Sequence, residues 1–168
     1  MKVFIIAALT ADGYIGLDDA HRATSWTTKA DKAFFVRRTK EAGSVVMGRK
    51  TFDTFGKPLK DRRLIILTAA PDAITVESVE GSSESPAELV ARLASEGVRE
   101  LAVCGGASVY SQFLAAGLVD EIYLTIMPKI FGTGVPLFGT QQDADLELIH
   151  SELLEDGNSV LVHYRVVK

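Results

Sequence analysis

The chain has 168 residues, 47% of them apolar and 24% charged, with a net charge of −4. That length supports one domain with a substantial core, and that charge lacks the cationic excess of a nucleic-acid binder. A lone cysteine, Cys104, excludes an intrachain disulfide. His21, His150 and His163 are scattered without ligand spacing, so no metal site is expected. No run approaches a membrane span and no signal pattern opens the chain, so a cytoplasmic protein without a membrane partner is expected.

Taken in order, Val3 to Leu9 is continuously apolar, as in a strand covered on both faces of a parallel sheet. Asp12-Gly13 marks a turn, and Tyr14-Ile15-Gly16-Leu17 opens a long polar loop that closes on Ser25 and Trp26, the only tryptophan. Thr28-Lys29-Ala30-Asp31 has the form of a capping box and predicts a helix, with Ala30, Ala33, Phe34 and Thr39 towards the core, Phe35 at the edge of that stripe and Gly43 as the stop. Ser44 to Met47 reads as a strand ending at Gly48, followed by a short helix over roughly Thr51 to Phe55. Leu64 to Thr68 is a further apolar strand, and Ile74 to Val76 reads as a short one. Gly81 to Ser85 reads as a surface loop.

Ser85-Pro86-Ala87-Glu88 is a strong helix start, with Leu89, Val90 and Leu93 inward and Gly97 at the end. Leu101 to Cys104 is a short buried strand. Gly105-Gly106 follows at once, and Val109, Tyr110, Phe113 and Leu114 then recur at helical spacing up to Gly117. Asp120 to Met127 is a strand, residues 131–136 form a glycine-rich loop, and Leu146 to Leu154 with Val160 to Val167 alternate around Asp156-Gly157-Asn158 as a hairpin. Strands alternating with helices, then strands alone, predict a single α/β domain over residues 1–168. It has a mostly parallel central sheet, helices on both faces and an antiparallel C-terminal edge.

Two strand–glycine–helix junctions stand out. At Gly105-Gly106 the backbone can approach a ligand where a Cβ would clash, and the next helix offers free N–H groups to an anion, although the same pattern also serves as a plain tight turn. At Gly48 the junction carries Arg49 and Lys50, which read either as solvated cations or as a clamp for a phosphate dianion, with the Thr68 hydroxyl nearby. Asp31 reads either as the acidic member of a capping box or as a carboxylate whose partial burial near Trp26 and Phe35 raises its pKa. Cys104 has no histidine in its pattern and reads as strand filler, and Arg62 and Arg63 stay open between surface charge and ligand contact.

Several of these pieces occur together in one known family. Ile6-Ala7-Ala8-Leu9, Tyr14-Ile15-Gly16, Trp26 with Asp31 and Phe34-Phe35, Met47-Gly48-Arg49-Lys50-Thr51-Phe52, Gly56-Lys57-Pro58-Leu59 leading to Arg62, Ile65-Ile66-Leu67-Thr68, Gly105-Gly106 with Val109-Tyr110, and Tyr123-Leu124-Thr125 resemble dihydrofolate reductase, in family order. The resemblance implies NADPH-dependent reduction of 7,8-dihydrofolate. Asp31 and Thr125 would be the catalytic pair. Ile6, Ala8, Phe35, Phe55, Leu59 and Tyr110 would line the substrate pocket, and Arg62 would hold the substrate's glutamate carboxylate. NADPH would be held by Ala8, Ile15, Ala20, Gly48, Arg49, Lys50, Thr51, Leu67, Thr68 and Cys104, and by Gly105, Gly106, Ala107, Ser108, Val109 and Tyr110. The Gly105–Gly106 peptide would be cis.

The chain departs from the family in its longer loop between Gly16 and Trp26, in Ser25 where a proline is usual, and in Lys32 where an apolar residue is common. Its loop from Gly132 to Phe138 resembles instead the reductase domain of the riboflavin-biosynthesis deaminase–reductase, a relative of the same fold. A riboflavin-pathway or general pteridine reductase is therefore the alternative, and a non-catalytic nucleotide-binding module a third reading. A monomer or a homodimer fits, with a small molecule as partner and no nucleic acid.

Overall fold

The computed structural model describes residues 1–168, apart from the side chain of Thr24. Its centre is strand β1 (Lys2–Thr10), which alternates its side chains between two separate cores. Val3, Ile5 and Ala7 enter one core, and Phe4 and Ile6 enter the other. This two-sided burial is why the segment is apolar throughout rather than alternating.

Around β1 lie β3 (Ser44–Gly48), β4 (Arg63–Leu67), β5 (Val79–Ser82), β6 (Glu100–Val103), β7 (Glu121–Met127), β9 (Leu146–Leu153) and β10 (Val160–Val166). They form one sheet in the order β5-β4-β3-β6-β1-β7-β10-β9. All neighbours are parallel as far as β7, and β10 and β9 close the sheet as an antiparallel hairpin. A separate ribbon pairs β2 (Tyr14–Gly16) with β8 (Val135–Pro136), tying the glycine-rich loop to the segment after β1.

Helices α3 (Pro86–Ser95) and α4 (Ala107–Ala115) cover the face of Val3 and Ile5, burying Leu89, Leu93, Val109, Tyr110 and Phe113. Helices α1 (Lys29–Ala42) and α2 (Arg49–Asp53) cover the face of Phe4 and Ile6 through Phe34 and Phe52. The full capping box at Ser85 and Glu88 forms as its sequence predicts. Both glycine stops, Gly43 and Gly97, take the positive φ that ends a helix at little cost.

The structure corrects several local expectations. The strand expected at Ile74 to Val76 is absent, and the edge strand is β5, Val79–Ser82, part of which reads as a polar surface loop. Glu80 at this edge faces Arg63 and Arg92, so polar side chains are retained in a strand held by ion pairs rather than by apolar burial. Helix α2 begins at Arg49, immediately after Gly48, not at Thr51. Ala33 is exposed on α1, while Arg38 is buried, its guanidinium lying over the Phe4 ring at 3.9 Å and bonded to Glu100 at 2.7 Å. A cation–π contact plus a carboxylate partner permits that burial where an unpaired charge would not be tolerated.

Candidate active site

Most of the residues singled out from sequence lie at or near the C-terminal ends of the parallel strands, the usual ligand edge of such a sheet, while Arg62 stands just before β4. Asp31 stands in the first turn of α1 and is 8% exposed; Thr125 on β7 is 2% exposed and lies opposite Ala8 of β1. The N–H of Asp31 donates to the Thr28 hydroxyl at 3.3 Å, which caps the helix. Its carboxylate does not complete the box. Instead it meets the hydroxyls of Thr125 and Thr27. One residue thus divides its two readings: the backbone serves the cap and the side chain is left for the site. Thr27 carries no motif of its own in the sequence, and only its placement reveals it.

Burial raises the Asp31 carboxyl above its ordinary pKa. The two threonine hydroxyls and the Lys32 ammonium pull it down, and the Asp156 charge adds to the rise. A carboxyl in this condition exchanges a proton nearer neutrality than an exposed one. Beneath it, the Tyr110 hydroxyl donates to the Ile6 carbonyl at 2.9 Å. Desolvation raises that phenol well above its usual value, so it stays a donor. Ile6 and Tyr110 are therefore joined to each other as the floor of the site.

Phe35, Phe55 and Leu59 pack partly buried against the cluster that holds Phe34 and Phe52. They form an apolar wall between α1 and the segment leading to β4. At its end Arg62 donates to the Thr39 hydroxyl at 2.8 Å and to the Lys60 carbonyl at 3.1 Å. Burial lowers its pKa, and among the described residues it makes no ion pair with a carboxylate. A half-buried guanidinium held by neutral acceptors keeps bonding capacity for an anion.

The two glycine junctions lie side by side, because β3 and β6 are neighbours. The Gly48 N–H donates to the Gly105 carbonyl at 2.8 Å, and the Gly105–Gly106 peptide is cis, as the resemblance implies. Gly105 sits at φ +105°, and a Cβ there would lie 3.2 Å from the Tyr110 hydroxyl. A Cβ on Gly106 would lie 3.1 Å from the Thr51 hydroxyl. The backbone at Gly105 therefore favours glycine, and at Gly106 a Cβ would crowd the Thr51 hydroxyl. Ala107 and Ser108 open α4, where the first N–H groups have no intrahelical acceptor. Val109 is 5% exposed and a Cβ on Gly48 would sit 3.1 Å from it, so its side chain packs beneath the cradle. Cys104, just after β6, has its thiol pushed up by burial and remains a protonated filler.

On the outer rim, Arg49 pairs with Asp53 at 2.7 Å and Lys50 with Asp19 at 2.6 Å, all exposed. Such pairs contribute about 0–1 kcal/mol and exchange readily for a stronger anion. Leu67 ends β4 and Thr68 follows it, accepting from the Ala70 N–H. The Asp19–Lys50 pair brings the long loop, with the exposed Ala20, to this rim, while Ile15 packs partly buried against the core. The loop is built on aromatic contacts among His21, Trp26 and Phe131, with ring centroids 5.2–6.4 Å apart. Asp12 holds it from below by accepting the N–H groups of Phe131 and Gly132. The Trp26 indole N–H is enclosed and meets no acceptor among the described residues.

Comparison with known proteins agrees with this arrangement. The family model described as dihydrofolate reductase matches residues 2–167. A dihydrofolate reductase type A13 of Escherichia coli is 31% identical over 160 residues, covering 92% of this chain and 88% of that protein. A dihydrofolate reductase of Bacillus subtilis is 31% identical, covering 89% and 83%. Among solved structures, a riboflavin biosynthesis protein from Shewanella superposes with a TM-score of 0.82 at 25% identity, each chain fully covered. A dihydrofolate reductase from Enterococcus faecalis, complexed with NADP(H), superposes with a TM-score of 0.79 at 24% identity, covering 99% and 97%. With the buried carboxylate, the double glycine cradle and a family match across nearly its whole length, the chain belongs to the dihydrofolate reductase family.

Proposed function

We propose that this protein reduces 7,8-dihydrofolate to tetrahydrofolate with NADPH. The observation that carries this reading is Asp31, a buried carboxylate of raised pKa whose oxygens are freed from helix capping and face Thr125. Its hydrogen-bonding oxygens suit the amino and N–H edge of a pterin, and its charge favours the protonated ring that accepts hydride. Thr125 and Thr27 orient the carboxylate. Phe35, Phe55 and Leu59 hold the apolar body of the substrate, and Arg62 takes the glutamate carboxylate.

The residues present fit a dinucleotide. At the Gly105-Gly106 cradle a Cβ would crowd the Tyr110 and Thr51 hydroxyls, and Arg49 and Lys50 are cations with only weak partners on the rim. When bound there, NADPH supplies the hydride. The chain supplies orientation, exclusion of water by the 17–25 loop, and a proton held near the ring by Asp31.

A second reading, reduction of a phosphoribosylaminopyrimidine, has its support in the Thermotoga maritima deaminase/5-amino-6-(5-phosphoribosylamino)uracil reductase, which superposes with a TM-score of 0.79, although at 22% identity that likeness concerns the fold. Arg62 favours folate, because its site is shaped for a planar carboxylate at the end of an apolar wall. The test is the loss of NADPH absorbance with dihydrofolate against 5-amino-6-(5-phosphoribosylamino)uracil. Turnover with dihydrofolate alone is expected, and turnover with only the pyrimidine would overturn the assignment.

A further inference from the structure

The loop between β2 and α1 closes on itself through one side chain. The Leu17 N–H donates to His21 Nδ1 at 3.1 Å, and His21 Nε2 lies 3.2 Å from the Ser25 hydroxyl. That hydroxyl gives its own proton to the Arg22 carbonyl at 2.7 Å, so its oxygen is an acceptor for the ring. These partners assign the protons of the imidazole. A backbone N–H only donates, so Nδ1 is bare, and Nε2 carries the hydrogen that meets Ser25. The ring is therefore neutral, in one tautomer, and it joins the two ends of the loop. The His21 N–H donates to the Asp18 carbonyl at 3.2 Å, and the Asp18 carboxylate accepts the Ala20 N–H at 2.8 Å. A Cβ on Gly16 would lie 3.2 Å from that carbonyl and 3.6 Å from the His21 Cβ, so the turn rests directly against the end of β2. Asp19, between the tied residues, reaches Lys50 of α2 at 2.6 Å and carries the loop to the rim of the glycine cradle.

We propose that neutral His21 is the clasp of the 17–25 loop and a positioning residue for the site: it holds the loop as one ordered unit at the rim, and a proton on Nδ1 opens it. This deepens the reading of the site given above and rests on it for its catalytic consequence. A second proton would set a ring N–H against the Leu17 N–H, two donors with no acceptor between them. The charged groups on the elements packed around the ring are Asp18, Asp19 and Arg22 of the loop, Asp12 of the turn after β1, Lys50 of α2, and Lys129, whose ammonium lies 5.8 Å from the Phe131 ring centroid. Asp19 is engaged by Lys50, Asp12 by the N–H groups of Phe131 and Gly132, and Asp18 by the Ala20 N–H. The histidines in ion pairs among the described residues are His150 and His163, so no carboxylate partner offsets the acceptor that His21 loses on charging.

The test begins without substrate or cofactor, on the ligand-free full chain. Nitrogen-15 NMR of the His21 ring reports which nitrogen carries the proton, and backbone nitrogen-15 relaxation reports the order of residues 17–25. Both are followed from about pH 8 to about pH 5, the range in which imidazoles charge. In the wild type the ring should be the Nε2–H tautomer at high pH, and the loop should loosen in step with ring protonation. His21→Ala should be loose throughout. His21→Asn places an amide oxygen where Nδ1 stands, keeps the Leu17 bond and has nothing to protonate, so its loop should stay ordered at both ends of the range. An Nδ1–H tautomer, or a loop equally ordered in all three proteins at every pH, overturns the proposal. In the kinetic arm, kcat/KM for dihydrofolate at neutral pH should fall about tenfold or more in His21→Ala and be largely restored in His21→Asn. A loosened loop with unchanged turnover refutes the positioning role. A pH-dependent clasp in a protein with no dihydrofolate turnover upholds the clasp and refutes the substrate assignment instead.

Discussion

Replacing Asp31 by Asn separates the cap from the chemistry. The helix cap uses the backbone N–H of residue 31 and the Thr28 hydroxyl, both of which the variant keeps. The carboxylate faces Thr125 and Thr27, and Asn preserves hydrogen bonding there but not the charge. General acid–base assistance is worth about 10²–10⁴-fold, so kcat/KM for dihydrofolate at neutral pH should fall by that factor. This is about 3–5 kcal/mol of transition-state stabilisation. NADPH oxidation followed from neutral to acid pH should show the variant recovering in acid, where the substrate is protonated in solution.

Stability should move the other way. The folded-state pKa of Asp31 is raised, so its contribution to stability is complete below the unfolded-state pKa and is lost as pH rises through the folded value. At neutral pH the wild type carries that cost and the Asn variant does not. Its melting temperature should equal or exceed the wild type's at neutral pH, with the gap closing in acid. A fully active Asp31→Asn enzyme at neutral pH would refute the reasoning and return Asp31 to the role of a cap.

Arg49→Ala should weaken NADPH binding by about 1–3 kcal/mol, the worth of a charge-assisted hydrogen bond, and leave NADH binding nearly unchanged; calorimetric titration giving equal losses for both would show that Arg49 does not read the 2′-phosphate. Arg62→Ala should raise KM for dihydrofolate with a much smaller effect on kcat, and a pterin lacking the glutamate tail should be indifferent to it in steady-state assays. Gly105→Ala places a Cβ at a backbone φ of +105° and 3.2 Å from the Tyr110 hydroxyl, so both thermal stability and NADPH affinity should drop. Unchanged affinity in that variant would separate the cradle from the cofactor.

Much of the fold was legible in the residues themselves, because the signals there are local. The unbroken apolar run from Val3 to Leu9 announces a two-sided strand, and Ser85 to Glu88 announces a helix start that forms as written. The hairpin around Asp156-Gly157-Asn158 also follows from short-range turn chemistry. The motif string from Ile6 to Thr125 was enough to name the family, since each piece is a constraint on backbone or chemistry at one place in the chain. Edge strand β5 was not legible, because its polar residues are held by Arg63 and Arg92 from other elements.

The roles of the polar groups were decided only in three dimensions. Spacing alone left Asp31 suspended between cap and carboxylate, because both readings use the same residue at the same helix position. The fold separates them by giving the N–H to Thr28 and the side chain to Thr125, a residue 94 positions further along the chain. Arg62 becomes distinct from Arg63 in the same way: one is set against Thr39 without a carboxylate, the other is bound to Glu80 and Glu96. Backbone propensity acts between neighbours in sequence and can be read there. The proton affinity of a carboxyl depends on burial and on charges that long-range packing brings close, and those are properties of the folded chain.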